Sequence, residues 1–283
     1  MKTMISVLTV ATLCSRLAAT ASAGNITVKG SDTLVILAQK WAEVYMSQKP
    51  EVRIQVTGGG TGTGFAALQN QTTDLCNASR KIRGAEIAEC IKNFGRRPVE
   101  YKVALDGINI YVHESCPLTD ITMDQLLRVF TGRIRNWKEL GGPDAPISVY
   151  SRENSSGTYE FFKEVVLQGR DYSSRAQTMP GTAGVVEAVA KDKNSIGYGG
   201  AAYAKGVKHL KVRKVAGSPA IEPDEENVVK GIYPIWRHLY VYVNPAIDQG
   251  EIAEYLKWMR SDEGQKLVKD IGYFPLPDHL REK

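Results

Sequence analysis

The feature that most restricts how this chain can fold is a repeated alternation. Short apolar runs of strand character are followed by longer segments with helical apolar spacing, and loops rich in glycine and hydroxyl residues separate them. Residues 25–29 read as a strand. Residues 34–47 then carry Leu34, Leu37, Ala38, Trp41, Val44 and Tyr45 at helical spacing. Residues 52–56 alternate as a strand, residues 57–64 form a glycine-rich turn, and a short helix starts at Phe65. Strand character returns at 74–78, 99–105 and 108–112, with a break expected at Asp106 and Gly107. Beyond Pro117 the spacing predicts helices at 122–130, 182–191, 250–260 and 262–270, and strands at 147–150, 195–198 and 239–243. Such alternation predicts an α/β fold with mainly parallel sheets. Ligands of such sheets bind beyond the carboxyl ends of the strands, where helices begin.

Four loops fall at that end. The first is Gly30, Ser31, Asp32, Thr33 and Leu34. The second is the glycine-rich run 58–64, the third is Ala78, Ser79 and Arg80, and the fourth runs from Ser151 to Thr158. The fourth is the most telling. Arg152, Asn154, Ser155, Ser156, Gly157 and Thr158 stand where a helix should begin. A helix start offers unpaired N–H groups and the positive end of the macrodipole. Hydroxyls add donors, and arginine adds a planar fork suited to a tetrahedral oxyanion. A single loop of this kind is an ordinary N-cap. Four of them, with two arginines, point to one shared anion.

Composition narrows the function classes. The chain of 283 residues is 43% hydrophobic and 24% charged, as in ordinary globular proteins, and long enough for two domains. Its net charge of +5 falls further if residues 1–23, with Lys2 and Arg16, are removed. That segment reads as a secretory signal, with an apolar stretch at 4–13 and a cleavage signal at Ala21, Ser22 and Ala23. Leu13 before Cys14 does not fit a lipoprotein signal, so simple export to the periplasm or another extracytoplasmic space is expected. No run of basic residues with interleaved aromatics appears, and no nucleic-acid partner is expected. Cys76, Cys90 and Cys116 follow the leader, an odd number that leaves at least one free thiol or an intermolecular bond. No cysteine or histidine spacing resembles a metal site, and neither metal nor cofactor is expected.

Two enzyme readings compete. Residues 58–64 match the glycine-rich phosphate signature of the tubulin and bacterial division GTPases letter for letter. The segment stands too near the N-terminus for that family, and an exported protein meets little GTP. A secreted phosphoester hydrolase could use Ser156, but no Gly-x-Ser-x-Gly elbow surrounds it.

These motifs resemble those of the PstS family, the periplasmic phosphate-binding proteins of the phosphate ABC transporter. The resemblance runs from about Ile26 to Phe274. It is carried by the four loops, by Ile196, Gly197 and Tyr198, and by Gly272, Tyr273, Phe274 and Pro275. It implies a two-lobed type II periplasmic binding protein fold, each lobe a mixed, mainly parallel sheet flanked by helices, with the ligand cleft between lobes. Lobe one would be residues 24–112 plus 236–283 and lobe two residues 113–235, with crossings near 110–117 and 232–239. It further implies a non-enzymatic, monomeric receptor that delivers inorganic phosphate to a permease. Related oxyanions (arsenate, phosphite, a phosphonate) are the alternative ligands.

By this resemblance Thr33 and the Leu34 amide donate from lobe one and Thr61 adds a hydroxyl. Arg152 pairs with the anion, and Ser156, Gly157 and Thr158 donate from lobe two. The full expected contact set adds Ser31, Asp32, Gly62, Ser79, Arg80, Asn154 and Ser155. Two positions depart from the family. Arg80 stands where the best-known members carry the carboxylate that accepts the phosphate proton, and Asn154 matches an aspartate that orients the arginine. Asp32 is the first candidate replacement acceptor and Asp106 the second. Their ordinary readings are a helix cap and a turn residue.

Overall fold

The computed structural model describes residues 24–281, so the expected leader lies outside the described residues. The first half of the chain runs β1 (Asn25–Gly30), α1 (Val35–Gln48), β2 (Arg53–Thr57), α2 (Thr61–Gln69), β3 (Leu75–Ala78), α3 (Gly84–Phe94) and β4 (Val99–Val112). The middle runs β5 (Asp120–Thr122), α4 (Met123–Phe130), β6 (Ser148–Arg152), α5 (Gly157–Val165), β7 (Gln177–Met179), α6 (Gly181–Lys191), β8 (Ser195–Gly200), β9 (Lys208–Arg213), β10 (Ala220–Ile221) and α7 (Glu225–Val229). The chain closes with β11 (Trp236–Val243), α8 (Gly250–Met259) and α9 (Asp262–Ile271).

Local chemistry accounts for these elements. β1 turns Ile26 and Val28 inward in strict alternation. α1 buries Leu37, Trp41 and Tyr45 one turn apart, and the Trp41 indole donates to the Gly264 carbonyl at 2.8 Å. The Thr122 hydroxyl accepts from the Gln125 amide while the Gln125 side chain accepts from the Thr122 amide, closing a capping box at the start of α4. α9 starts at the Ser261 cap and stops at Gly272 with φ +103°.

The molecule has two lobes. In lobe one the strand order is β2-β1-β3-β11-β4, and α1, α8 and α9 pack on a core around Trp41, Tyr45, Val103, Val241, Tyr255 and Leu256. Lobe two continues from β4 through β8, β6 and β7, with a core around Phe130, Trp137, Phe162, Tyr198 and Leu210. Pairing is parallel among β1, β2 and β3 and among β6, β7 and β8. β4 and β11 bring in antiparallel pairing, so the sheets are mixed.

Two local expectations are corrected. The break foreseen at Asp106 and Gly107 is absent, and β4 is one strand of 14 residues. Asp106 pairs across the sheet with Arg237, and Gly107 with Trp236, so the ladder supplies partners for residues whose local preference is to turn. The glycine-rich turn ends earlier than expected, because α2 already begins at Thr61. Gly64 is required inside that helix: a Cβ there would lie 2.7 Å from the Gly30 Cα and 2.8 Å from the Lys29 carbonyl. Close backbone approach thus outweighs glycine's weak helix propensity. Cys76, Cys90 and Cys116 are buried free thiols.

Candidate functional site

Lobe one presents three hydroxyls from three successive strand ends. After β1 the chain turns through Gly30, whose φ of +140° and 2.2 Å Cβ clearance to the Asn77 carbonyl admit only glycine. The Ser31 amide donates to the same Asn77 carbonyl at 2.9 Å. This places Asp32, Thr33 and Leu34 in a short 3-10 turn, held from outside by Tyr203, whose hydroxyl donates to the Asp32 carbonyl at 2.7 Å. After β2, Gly60 (φ +92°) leads into Thr61 at the start of α2. After β3, the Ser79 amide donates to Thr61 Oγ1 at 3.1 Å, and the two hydroxyls lie 3.3 Å apart.

Lobe two meets them with the end of β6 and the start of α5. Ser156 caps α5, its hydroxyl accepting from the amides of Thr158 and Tyr159. Thr158 Oγ1 lies 2.8 Å from Thr33 Oγ1 of the other lobe. The Gly62 amide donates to the Ser155 carbonyl at 2.9 Å. A Cβ on Gly157 would sit 2.4 Å from Thr61 Oγ1 and 2.7 Å from Ser79 Oγ. Two helix N-termini, those of α2 and α5, therefore face one another across a buried cluster of hydroxyls.

Two arginines flank the cluster. Arg152, 1% exposed, donates from Nη1 to Thr182 Oγ1 at 2.7 Å and from Nη2 to Asp32 Oδ2 at 2.9 Å and Glu153 Oε1 at 2.8 Å. Burial acts to lower the Arg152 pKa, but the Glu153 and Asp32 carboxylates outweigh it and hold it above its ordinary value. Burial also works against Glu153, whose carboxyl is nevertheless held below the usual range by Arg152. Arg237 projects from β11 and donates from Nε and Nη2 to Asp106 Oδ2 at 3.0 and 2.8 Å. It also donates to the Ser79 carbonyl at 2.9 Å and to Thr158 Oγ1 at 3.0 Å. Burial pushes the Asp106 carboxyl above the ordinary carboxylate range, with Arg237 opposing. The arginine charges are thus largely matched by carboxylates already. Neutral hydroxyls and helix ends remain as the donors for an incoming anion.

Thr33, Thr61, Ser79, Ser156, Gly157 and Thr158 come together, and Arg152 joins them through Asp32, the neighbour of Thr33. Several other expected contacts have different partners. The Leu34 amide donates to the Ser31 carbonyl at 3.0 Å, closing the 3-10 turn. The Ser31 amide and the Gly62 amide are likewise taken, by Asn77 and Ser155. Asn154 is exposed, and Glu153, Asp32 and Thr182 orient Arg152 in its place. Arg80 turns away from the hydroxyls, its Nη1 and Nη2 donating to Glu86 at 2.8 and 2.7 Å. Asp32 accepts from Arg152 and, through Oδ1, from the Gly59 amide at 2.8 Å.

Sequence reasoning missed Arg237, Thr182 and Tyr203. One signal for Arg237 was available: it is in phase with Leu239, Val241 and Val243 on a strand, an inward position at which an arginine needs a buried partner. Asp106, inside the apolar run of β4, is that partner. Among the described residues no group of three or more His, Cys, Asp or Glu is placed to hold a metal ion.

A two-lobed α/β chain whose lobes bring hydroxyls, arginines and helix N-termini to one buried contact has the build of a periplasmic-type binding protein. Residues 17–263 match the family model of the PBP superfamily domain. The phosphate-binding protein PstS of Pseudomonas aeruginosa is 36% identical over 277 residues, covering 92% of this chain and 85% of that protein. PstS of Bacillus subtilis is 32% identical, covering 91% and 82%. A Clostridium perfringens ABC transporter substrate-binding protein, solved with bound phosphate, superposes with a TM-score of 0.81 at 28% identity, covering 90% of this chain and all of that one. The chain belongs to the PstS family of phosphate-binding proteins.

Proposed function

We propose that this protein captures inorganic phosphate between its lobes, outside the cytoplasm, and delivers it to an ABC transporter permease. The observation that carries this reading is the meeting of Thr33, Thr61 and Ser79 with Ser156 and Thr158 across the lobes, flanked by Arg152 and Arg237. Phosphate entering there replaces hydroxyl-to-hydroxyl contacts with hydroxyl-to-oxyanion bonds, which are stronger because one partner is charged. The receptor is proposed to act as a monomer. The relatives are binding proteins, which supports a role without catalysis.

The proposed lobe boundary just ahead of β11 keeps the sequence expectation. The first boundary is proposed within β4 near Gly107, ahead of the expected 112/113, because Ile108, Ile110 and Val112 pack into the second core. It is supported by the change of partner along β4, from β11 at Gly107 to β8 at Ile108. Of the two carboxylates at the contact, Asp106 is the proposed reader of the phosphate proton. Both are already partnered, Asp32 by Arg152 and the Gly59 amide and Asp106 by Arg237 and the Ala201 amide. Asp106 is preferred because it is fully buried and burial raises its carboxyl above the ordinary range.

Calorimetric titration with phosphate and then sulfate, at pH near 6 and near 8, tests the function. Tight phosphate binding with weak sulfate binding is expected. Equal affinity for both would replace it with a general oxyanion receptor, and no binding of either would remove it. A competition series with arsenate, phosphite and a phosphonate separates the related ligands.

A further inference from the structure

Glu160 lies in the first turn of α5, two residues beyond Thr158, yet its carboxylate does not serve its own lobe. Its Oε2 lies 2.6 Å from Arg80 Nε, and it also pairs with Arg83 at the start of α3. Both arginines belong to lobe one. Arg80 is 9% exposed and is fixed from behind by Glu86 through two bonds, with its guanidinium 5.1 Å from the centre of the Phe65 ring. The Arg80 to Glu160 approach is a charge contact, because neither Nε nor Oε2 makes an aligned hydrogen bond. Attraction of this kind tolerates poor angles and is strengthened by partial burial. The contact lines a crevice of about 480 Å³, with Lys81, Lys163 and Glu164 around it.

We infer that Arg80, Arg83 and Glu160 form an electrostatic latch between the lobes. The latch stabilises the closed form without contacting the anion and so sets how tightly phosphate is held. The inference rests on the phosphate-capture reading. Its mechanical basis is that Thr158 and Glu160 share one helical turn. The motion that brings Thr158 to Thr33 also brings Glu160 to the two arginines. Apparent affinity scales with the fraction of protein in the binding-competent form, so a group that favours closure tightens binding from outside the site. This also gives Arg80 a use at a position where direct attraction of the anion was expected.

The test uses Glu160→Gln, which removes charge and keeps shape, and Arg83→Gln at a side chain 57% exposed, whose loss does not threaten the core. Small-angle scattering without phosphate, phosphate affinity and phosphate release rate are measured for each variant and for the double variant. Glu160→Gln should enlarge the phosphate-free radius of gyration, weaken phosphate binding by about tenfold and speed release, the scale of a partly buried ion pair. Arg83→Gln should act in the same direction more weakly, and the double variant should be no worse than Glu160→Gln alone. A Glu160→Gln protein with an unchanged phosphate-free radius of gyration overturns the latch, whatever its affinity. The scattering arm needs no ligand. A wild-type protein that fails to bind phosphate therefore defeats the functional reading and leaves the latch to be judged by shape.

Discussion

Arg152 and Arg237 show how a buried charge is made useful. Each is held by a carboxylate and by neutral oxygens, so its position is set before any ligand arrives. Truncating Arg152 would leave Asp32 and Glu153 unmatched beside an incoming anion. Arg152→Ala should weaken phosphate binding by about 2–5 kcal/mol, and calorimetry giving near wild-type affinity would exclude it from the site. Asp106→Asn should narrow the preference for phosphate over sulfate, while Asp32→Asn should weaken both anions alike. Equal loss of both anions in Asp106→Asn would assign Asp106 only to holding Arg237. The motif around Arg152 was legible because its residues are neighbours in sequence. Arg237 was passed over because its partners Asp106 and Ser79 are brought to it by other strands.

At the scale of elements, the start of α5 matters most. Glycine at position 157 lets this helix end reach Thr61 and Ser79, because a Cβ there would lie 2.4 and 2.7 Å from their hydroxyls. Gly157→Ala should lower phosphate affinity by at least about tenfold, since it obstructs closure, while leaving the ligand-free unfolding temperature nearly unchanged. A variant that binds normally would show that the approach is looser than the structure has it. β11 carries a second testable feature in His238, packed between Trp236 and Tyr240. Burial, then the charges of Lys102 and Lys81, lower its pKa from 6.5 to about 4. The folded state therefore binds this proton less readily than the unfolded one. The stability is present above pH 6.5 and is lost as pH falls toward about 4. Thermal unfolding between pH 7 and pH 5 should fall less steeply in His238→Gln than in wild type, and identical slopes would remove His238 as the cause. Strand and helix character was readable from periodicity over most of the chain. It failed at Asp106 and at Thr61, where a cross-strand ion pair and a close backbone approach overrode local preference, and it gave no element for α3, β9 or α7.

At the scale of the whole molecule, phosphate that joins both lobes should stabilise them together. A thousandfold excess over Kd should add about 4 kcal/mol and raise the unfolding temperature, with sulfate at the same concentration doing little. An unfolding temperature indifferent to phosphate would contradict capture between the lobes. The sequence by itself determined the α/β alternation, the order of the polar loops and the hydroxyl-rich helix start after β6, because these depend on residues close along the chain. Only the tertiary structure decided that Arg80 faces Glu86 and Glu160, that Glu153 and Asp32 orient Arg152 in place of Asn154, and that Arg237 and Asp106 enter the site. A charged side chain takes the direction in which it finds a counter-charge at the least loss of solvation. Here those counter-charges come mostly from other strands, other helices or the opposite lobe.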